Sequence, residues 1–274
     1  MSSQGDIPRR ITVRDFLGAR ERSEPLVVVS TYDTLFARLS EAGGVDAVLV
    51  GDSLGNVVAG YENPLPVTLD QMIYHAGCVR RGLTRAMLIV DMPFLTYQVS
   101  VEDAMRNSGR VIQESGGEAV KLEGADERVL AAVRAVSGVG IPVMGHLGLT
   151  PQNILNFGGF RVQGRGESEA QRIVDEARRL EDAGAFSIVL ELMPSELGAR
   201  VTEAVSIPTI GIGAGPSCSG QVLVLHDLLG LNDSFKPKFL KRYAELGSVA
   251  RKAVAEYADE VRSGRYPADE HGFQ

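Results

Sequence analysis

The sequence predicts an α/β protein whose fold is a (β/α)8 TIM barrel with an extra helix at each end of the chain. Eight short apolar runs alternate with longer amphipathic segments, and eight strand–helix alternations are the element count of that fold. The runs lack polar alternation, which is typical of parallel strands covered on both faces. A length of 274 residues suits a single barrel domain over 1–274. A doubly wound open sheet is the alternative architecture.

The predicted elements follow one another along the whole chain. We expect one helix over 12–22, before the first strand, and another over 237–262, after the last strand. Several of the intervening helices end at glycine, as helix C-caps often do. The predicted strands are 26–30, 47–52, 86–91, 119–123, 142–146, 187–191, 208–212 and 221–226. The predicted crossover helices include 67–81, 101–114, 127–136, 169–183 and 195–205.

Composition and charge argue against several classes of protein. Lys and Arg total 28 against 35 Asp and Glu, a net charge of −7, and an acidic chain without a basic run is not expected to bind nucleic acid or an anionic membrane. No apolar run approaches the ~20 residues of a membrane span. The polar start, residues 1–10, does not resemble a signal peptide, and two cysteines suit a reducing compartment. We therefore expect a cytoplasmic protein that acts on small molecules.

Ionisable side chains end five consecutive predicted strands. Strands two to six end in Asp52, Asp91, Glu123, His146 and Glu191. Because the C-terminal ends of barrel strands form the active face, we expect these side chains on one rim. One acidic residue after a strand is commonly a helix cap, but burying this many carboxylates near the core is costly without a cation.

Three of these carboxylates are candidate ligands of Mg²⁺. Asp52, Asp91 and Glu123 supply the oxygen atoms that hard divalent cations prefer, and no Cys or His cluster indicates zinc. Lys121 lies two residues before Glu123 and so faces the same way in a strand. It is a candidate anion clamp or Schiff-base nucleophile, with an ordinary salt bridge as the alternative.

The remaining rim residues allow two interpretations each. Glu191 is apart from the predicted metal ligands and is a candidate general base, or a helix cap. His146 is a candidate for polarising a substrate carbonyl, or alternatively a hydrogen-bonded histidine in the interior. The glycine-rich segment 211–215 is a candidate phosphate-binding site, or alternatively a place where the backbone passes close to other residues at the barrel mouth. The long connection after strand five is a candidate lid or subunit contact.

Several motifs, taken in order and spacing from about Ile11 to Phe273, resemble the ketopantoate hydroxymethyltransferase family. The motifs are VGDSLG at 50–55, LPVT at 65–68, VDMPF at 90–94, VKLEG at 120–124, GHLGLTPQ at 145–152, VQGR at 162–165 and GIGAG at 211–215, with a similar tail at 266–271. Two positions depart from the family pattern: Asn56 stands where Met is expected, and Ser219 where Asp is expected.

The resemblance implies transfer of a hydroxymethyl group from 5,10-methylenetetrahydrofolate to 3-methyl-2-oxobutanoate, which gives 2-dehydropantoate for pantothenate synthesis through a Mg²⁺-stabilised enolate. It implies that the three carboxylates bind Mg²⁺, that Glu191 accepts the proton, and that the chain forms a homo-oligomer, typically a decamer. Ser53, Asp91 and Lys121 contact the keto acid by this resemblance. The full set expected to bind substrate is Asp52, Ser53, Asp91, Lys121 and His146.

Two other functions stay open at this stage. One is a lyase or mutase resembling the isocitrate lyase and phosphoenolpyruvate mutase group, which would share Mg²⁺ and the enolate but not folate. The other is a non-catalytic barrel that binds a metabolite, against which the intact acidic rim argues. Formation of 2-dehydropantoate with and without methylenetetrahydrofolate separates all three.

Overall fold

Eight parallel strands close into a barrel in which strands adjacent in the chain are paired. This closed sheet confirms the predicted fold class and rules out the open sheet. In this computed structural model the described residues are 9–159, 161–233 and 235–273. The strands are β1 (Leu26–Ser30), β2 (Ala47–Val50), β3 (Met87–Asp91), β4 (Ala119–Glu123), β5 (Val143–Gly148), β6 (Ala185–Glu191), β7 (Thr209–Ile212) and β8 (Gly220–Val224).

Helices occupy most of the connections. The α-helices are α1 (Val13–Glu21), α2 (Thr34–Ala42), α3 (Leu54–Val57), α4 (Leu69–Arg80), α5 (Val101–Arg110), α6 (Glu127–Gly138), α7 (Ile154–Phe157), α8 (Glu167–Asp182), α9 (Ser195–Ala204), α10 (Leu225–Leu228) and α11 (Leu246–Arg262). A π-helical turn, Val111–Ser115, extends α5, and 3₁₀ turns lie at Pro151–Asn153 and Asp269–His271. In the described part of the chain no helix is long and apolar enough to cross a membrane.

The connection between β7 and β8 departs from the predicted strand–helix alternation. Residues 213–219 join the two strands without a helix. Gly213 and Gly215 have φ angles of +67° and +87°, in the left-handed region that interrupts a right-handed helix. This short glycine-rich connection therefore turns back tightly.

The C-terminal elements also differ from their predicted bounds. Strand β8 ends at Val224, so the last two residues of the predicted strand 221–226 begin α10, and the predicted helix 237–262 begins only at Leu246. The backbone N–H groups of Tyr243 and Leu246 donate to the carbonyls of Leu228 and Leu229. These donors are thus used outside a helix, which explains the late start of α11.

The contacts within the chain divide it into two compact units, residues 1–223 and 224–274. The first holds the functional rim described below, and the second holds α10 and α11. The single domain over 1–274 stays a prediction. Residues 1–8 of the polar start 1–10 lie outside the described residues.

Apolar side chains fill the barrel interior towards the N-terminal ends of the strands, and polar residues occupy the C-terminal ends of the strands. Phe16 of α1 is fully buried and meets Phe186 edge-on, with ring centroids 5.8 Å apart. Both belong to one buried cluster with interior strand residues such as Ile89 and Ala119. Because side chains alternate along a strand, the residues that follow Ala119 on the same face are Lys121 and Glu123. The charged rim therefore rests on a closed apolar base.

Asp227 in α10 makes stability depend on pH. Burial raises the pKa of this carboxyl to about 6, against the opposing effect of Arg242. The folded chain thus binds this proton more tightly than the unfolded chain, whose aspartate pKa is about 3.9. The charged side chain destabilises the fold above about pH 6, and this effect fades as the pH falls towards 4.

We expect Asp227→Asn to raise the free energy of unfolding by about 1 kcal/mol at pH 8, and by much less at pH 4.5. Urea unfolding of both proteins at the two pH values measures this difference. An equal change at pH 8 and pH 4.5 would contradict the argument.

Candidate active site

The structure brings the five ionisable residues predicted at strand ends to one end of the barrel. Asp91, Glu123 and Glu191 are the last residues of β3, β4 and β6. Asp52 instead lies in the turn two residues beyond β2, and His146 lies two residues before the end of β5. The predicted ends of the second strand at 52 and of the fifth strand at 146 were therefore wrong. The placement of all five residues on one rim is nevertheless what parallel strands lead us to expect.

Strand register places Lys121 against two carboxylates. Its Cα is paired with that of Asp91 across β3 and β4, and its Nζ lies 3.0 Å from Asp91 Oδ1 and 3.7 Å from Glu123 Oε1. All three side chains are at most 4% exposed. Burial lowers the pKa of Lys121, but the surrounding carboxylates outweigh it and raise the pKa. The lysine is therefore held as an ammonium ion.

The carboxylates at this rim exceed the positive charge of Lys121. Burial and the negative charges of Asp91 and Glu123 raise the pKa of Asp52 well above its usual value. Burial also raises the pKa of Asp91, although Lys121 opposes it. A backbone contact links the two aspartates, since the Asp52 N–H donates to Asp91 Oδ2 at 3.0 Å. An excess of buried negative charge of this kind favours the presence of a further positive charge.

His146 connects Glu123 with Glu191. The ring lies beside Glu123 because the two residues are paired between β4 and β5. Its Nδ1 is 3.2 Å from Glu123 Oε1 and its Nε2 is 3.2 Å from Glu191 Oε2, while Lys121 Nζ is 3.0 Å from the same Nδ1. Burial and Lys121 lower the pKa of His146, but the two glutamates raise it to about 9. Burial works to raise the pKa of Glu123, and His146 outweighs it and lowers that pKa.

Ser53 lies on the same rim at the start of α3. Its Oγ is 2.8 Å from the hydroxyl of Tyr32. A Cβ at Gly51 would lie 2.7 Å from that Oγ and 3.5 Å from Asp91 Oδ2. Glycine at 51 therefore lets the serine and the aspartate approach each other, which places Ser53 beside the charged cluster.

Two residues of the site had no role in the sequence-based prediction. Gln152 follows β5, and its backbone N–H donates to Glu123 Oε2 at 3.0 Å while its Nε2 donates to Asp52 Oδ2 at 2.9 Å. Tyr97 follows β3, and its hydroxyl accepts the Glu123 N–H at 3.0 Å. Both side chains are buried. Gln152 is the last residue of the motif GHLGLTPQ, whereas the signal for Tyr97 is a polar residue in the connection after a strand's C-terminal end.

The donor chemistry of the rim fits a hard divalent cation. Oδ1 of Asp91 and Oε1 of Glu123 are buried beside Lys121 Nζ, at 3.0 and 3.7 Å, and carboxylate oxygens are ligands that Mg²⁺ accepts. As the side chains stand, no three His, Cys, Asp or Glu residues in the described ranges are arranged to hold a metal ion. Lys121 contacts Asp91 and Glu123, and Gln152 contacts Asp52 and Glu123, in this arrangement. The residues suit the cation by type and by the negative charge that three buried carboxylates bring together.

The structure also shows the surroundings of the glycine-rich segment, of the two positions that depart from the family pattern, and of the connection after β5. A Cβ at Gly215 would lie 2.8 Å from Ser195 Cα, which favours close backbone passage in the segment 211–215. Asn56 Nδ2 donates to the Tyr61 carbonyl at 3.0 Å, and Ser219 Oγ accepts the Thr209 N–H at 3.2 Å. The connection after β5 carries a 3₁₀ turn and α7, and residue 160 within it lies outside the described residues. Its role as a lid or subunit contact stays a prediction.

Comparisons with known proteins agree on one family. A family model described as ketopantoate hydroxymethyltransferase matches residues 10–269. The chain is 54% identical over 268 residues to a 3-methyl-2-oxobutanoate hydroxymethyltransferase of Pelobacter propionicus, covering 98% of this chain and 99% of that one. It is 51% identical over 265 residues to the enzyme of the same name from Moorella thermoacetica, covering 97% and 98%.

Solved structures share the fold at low sequence identity. A protein described as a phosphonomutase homologue from Burkholderia cenocepacia matches with a TM-score of 0.65 at 15% identity, covering 88% of this chain and 99% of that one. A 2,3-dimethylmalate lyase of the PEP mutase/isocitrate lyase superfamily matches with a TM-score of 0.59 at 17% identity, covering 95% and 91%. These likenesses support the barrel architecture.

Gly148, the last residue of β5, holds the rim ends of β5 and β6 together. Its φ is +91°, and a Cβ there would lie 2.1 Å from the carbonyl oxygen of Glu191. We expect Gly148→Ala to push Glu191 away from His146, and to lower the free energy of unfolding by at least about 2 kcal/mol more than a control.

Gly158→Ala is the matched control, because Gly158 also has a positive φ of +63° but a Cβ there would meet no atom within 4 Å. Urea unfolding of both variants measures the difference. Equal destabilisation would show that backbone strain alone matters at position 148.

Proposed function

The chain belongs to the ketopantoate hydroxymethyltransferase family and is therefore an enzyme, and we propose that it transfers a hydroxymethyl group from 5,10-methylenetetrahydrofolate to 3-methyl-2-oxobutanoate. The product is 2-dehydropantoate, a precursor of pantothenate. The observation that carries the proposal is a rim on which three carboxylates surround a lysine, with a glutamate–histidine pair on the far side of Glu123. On such a rim, the residues that would stabilise negative charge lie around Lys121, the charge-stabilising end, and the candidate base Glu191 lies beside His146, the basic end.

Asp52, Asp91 and Glu123 are the residues that would hold Mg²⁺. Bound there, the ion supplies positive charge that stabilises the oxygen of the developing enolate. The clustering of these three buried carboxylates supports this assignment, as does the raised pKa of Asp52 among like charges.

The substrate carboxylate and ketone need positive and polar groups on the protein. Lys121 carries its ammonium group at the centre of the rim, where it attracts an anionic oxo acid. Ser53 carries a hydroxyl on the same rim, near Asp91, and the His146 ring lies beside Lys121, with its Nδ1 3.0 Å from Nζ. These groups bind and orient the oxo acid so that its C3 hydrogen faces the basic end.

Glu191 is the residue that removes the C3 proton. It contacts His146 rather than Asp52 or Asp91, and its side chain is 20% exposed, so substrate can reach it. As the proton moves to Glu191, the C3–H electron pair forms the enolate. Water adds to the methylene carbon of the folate as both bonds from that carbon to folate nitrogens break, which releases tetrahydrofolate and leaves a one-carbon unit at the formaldehyde level. C3 of the enolate bonds to this carbon, and its oxygen takes up the proton that Glu191 removed to become the hydroxyl group.

An assay of 2-dehydropantoate formation tests the proposal. We expect product only with 3-methyl-2-oxobutanoate and methylenetetrahydrofolate together, loss of product after exhaustive EDTA treatment, and recovery with Mg²⁺. Product without folate, or cleavage of a 2-hydroxy acid instead, would indicate a lyase or mutase. Full activity after EDTA treatment would contradict the metal assignment.

Glu191→Gln tests the base, because it keeps the shape of the side chain and removes its basicity. We expect exchange of the C3 proton with deuterated water, followed by NMR without folate, to slow by roughly 10²–10⁴. Glu196→Gln, on the exposed first turn of α9, is the matched control and should exchange at the wild-type rate. Wild-type exchange in Glu191→Gln, with product formation lost, would move the role of base to another residue.

Assembly and location are further parts of the proposal. The family resemblance supports a homo-oligomer, most specifically a decamer, and light scattering on the full chain would check it. The net charge of −7 supports a cytoplasmic protein whose partners are small molecules rather than nucleic acid or membrane.

A further inference from the structure

The side chain of Gln152 uses every hydrogen-bonding position that it has. It is 5% exposed, in the 3₁₀ turn Pro151–Asn153 just after β5. Its Nε2 donates to Asp52 Oδ2 and to the Met92 carbonyl, both at 2.9 Å. Its Oε1 accepts from the Tyr97 hydroxyl and from Gln98 Nε2, both at 3.0 Å. A buried glutamine satisfied on both ends of its amide is held in one orientation.

The partners of the amide fix which end faces Asp52. If the amide were turned over, its oxygen would face the carboxylate and the Met92 carbonyl, which cannot donate. Tyr97 reinforces the observed orientation, because its hydroxyl accepts the Glu123 N–H at 3.0 Å and so has its own proton available for Gln152. The side chain therefore presents two N–H donors to the rim.

One residue thus touches two of the three carboxylates. The backbone N–H of Gln152 donates a hydrogen bond to Oε2 of Glu123, and its side-chain amide donates one to Oδ2 of Asp52. Gln152 contacts one oxygen of each carboxylate, so Oε1 of Glu123 and Oδ1 of Asp52 are the oxygens that it does not bond. Hydrogen bonds of this kind fix the rotation of a carboxylate and hence the direction of its remaining lone pairs.

We propose that Gln152 is a positioning residue that orients Asp52 and Glu123 for the divalent cation. The inference rests on the proposed function, since it assigns the partner of the same three carboxylates. Gln152 itself touches neither substrate nor ion in this role. It acts through the two carboxylates, and Tyr97 and Gln98 hold it in place.

Binding of Mn²⁺ to the metal-free full-length protein tests the role without catalysis. Electron paramagnetic resonance counts free Mn²⁺ and so gives a Kd for wild type and for Gln152→Met, which keeps the length of the side chain and removes both N–H donors. The backbone N–H to Glu123 remains in this variant. We expect the Kd to rise about tenfold or more, within the range measured when partners of metal ligands are removed.

A second measurement follows activity against Mg²⁺ concentration. We expect the Mg²⁺ concentration for half-maximal activity to rise by a similar factor, while kcat at saturating Mg²⁺ falls less than about threefold. Gln171→Met is the matched control: it removes a glutamine N–H that donates to an exposed carboxylate, Asp175 Oδ1 at 3.1 Å, on α8, so its Kd should stay within about twofold of wild type.

Tyr97→Phe provides a second variant if Gln152→Met does not fold. It removes the hydroxyl that holds Gln152 Oε1 and should weaken Mn²⁺ binding by about threefold. Unchanged Kd in a folded Gln152→Met, or in Tyr97→Phe where Gln152→Met does not fold, overturns the positioning role and leaves the proposed function intact. Absence of Mn²⁺ binding by wild type, together with full activity in EDTA, overturns the metal assignment and this inference together.

Discussion

A buried ion pair between neighbouring strands is the contact around which the functional end of this barrel is arranged. Lys121 and Asp91 are paired in the register of β3 and β4, and their charged atoms lie 3.0 Å apart with almost no exposure to water. A buried ammonium or carboxylate alone is strongly unfavourable, so each depends on the other. The neighbouring carboxylates add negative charge that one lysine does not balance, which supports the proposal of a cation at this rim.

The apolar lower half of the barrel makes this arrangement possible. The interior cluster from Phe16 of α1 up to Ile89 and Ala119 closes the barrel below the charged residues. Side-chain alternation then decides that Lys121 and Glu123 follow Ala119 towards the mouth. Packing of this kind is stiff, so the charged atoms are held at fixed separations by strands rather than by loops.

The strand pattern of the sequence predicts the barrel and the positions of the charged side chains, because both depend on local periodicity. Asp91, Glu123 and Glu191 end their strands as predicted. The contacts of Gln152 and Tyr97 could not be predicted in this way, since they arise where the connections after β5 and β3 cross the barrel mouth. The start of α11 at Leu246 was missed for a related reason: its preceding N–H groups bond to carbonyls distant in sequence, which no helical period reveals.

His146 couples the two ends of the rim. One ring contacts Glu123 through Nδ1 and Glu191 through Nε2, so a proton gained or lost at the ring changes the field at both carboxylates. The two ends of the rim are therefore separated in space but linked through one ring. Glu123 and His146 interact strongly enough to titrate together, so an apparent pKa in a pH–rate profile of this enzyme belongs to the Glu123–His146 pair rather than to one residue. Chemical assignment of the base thus depends on isolating the proton-transfer step itself, since the shape of a pH profile does not identify a single group.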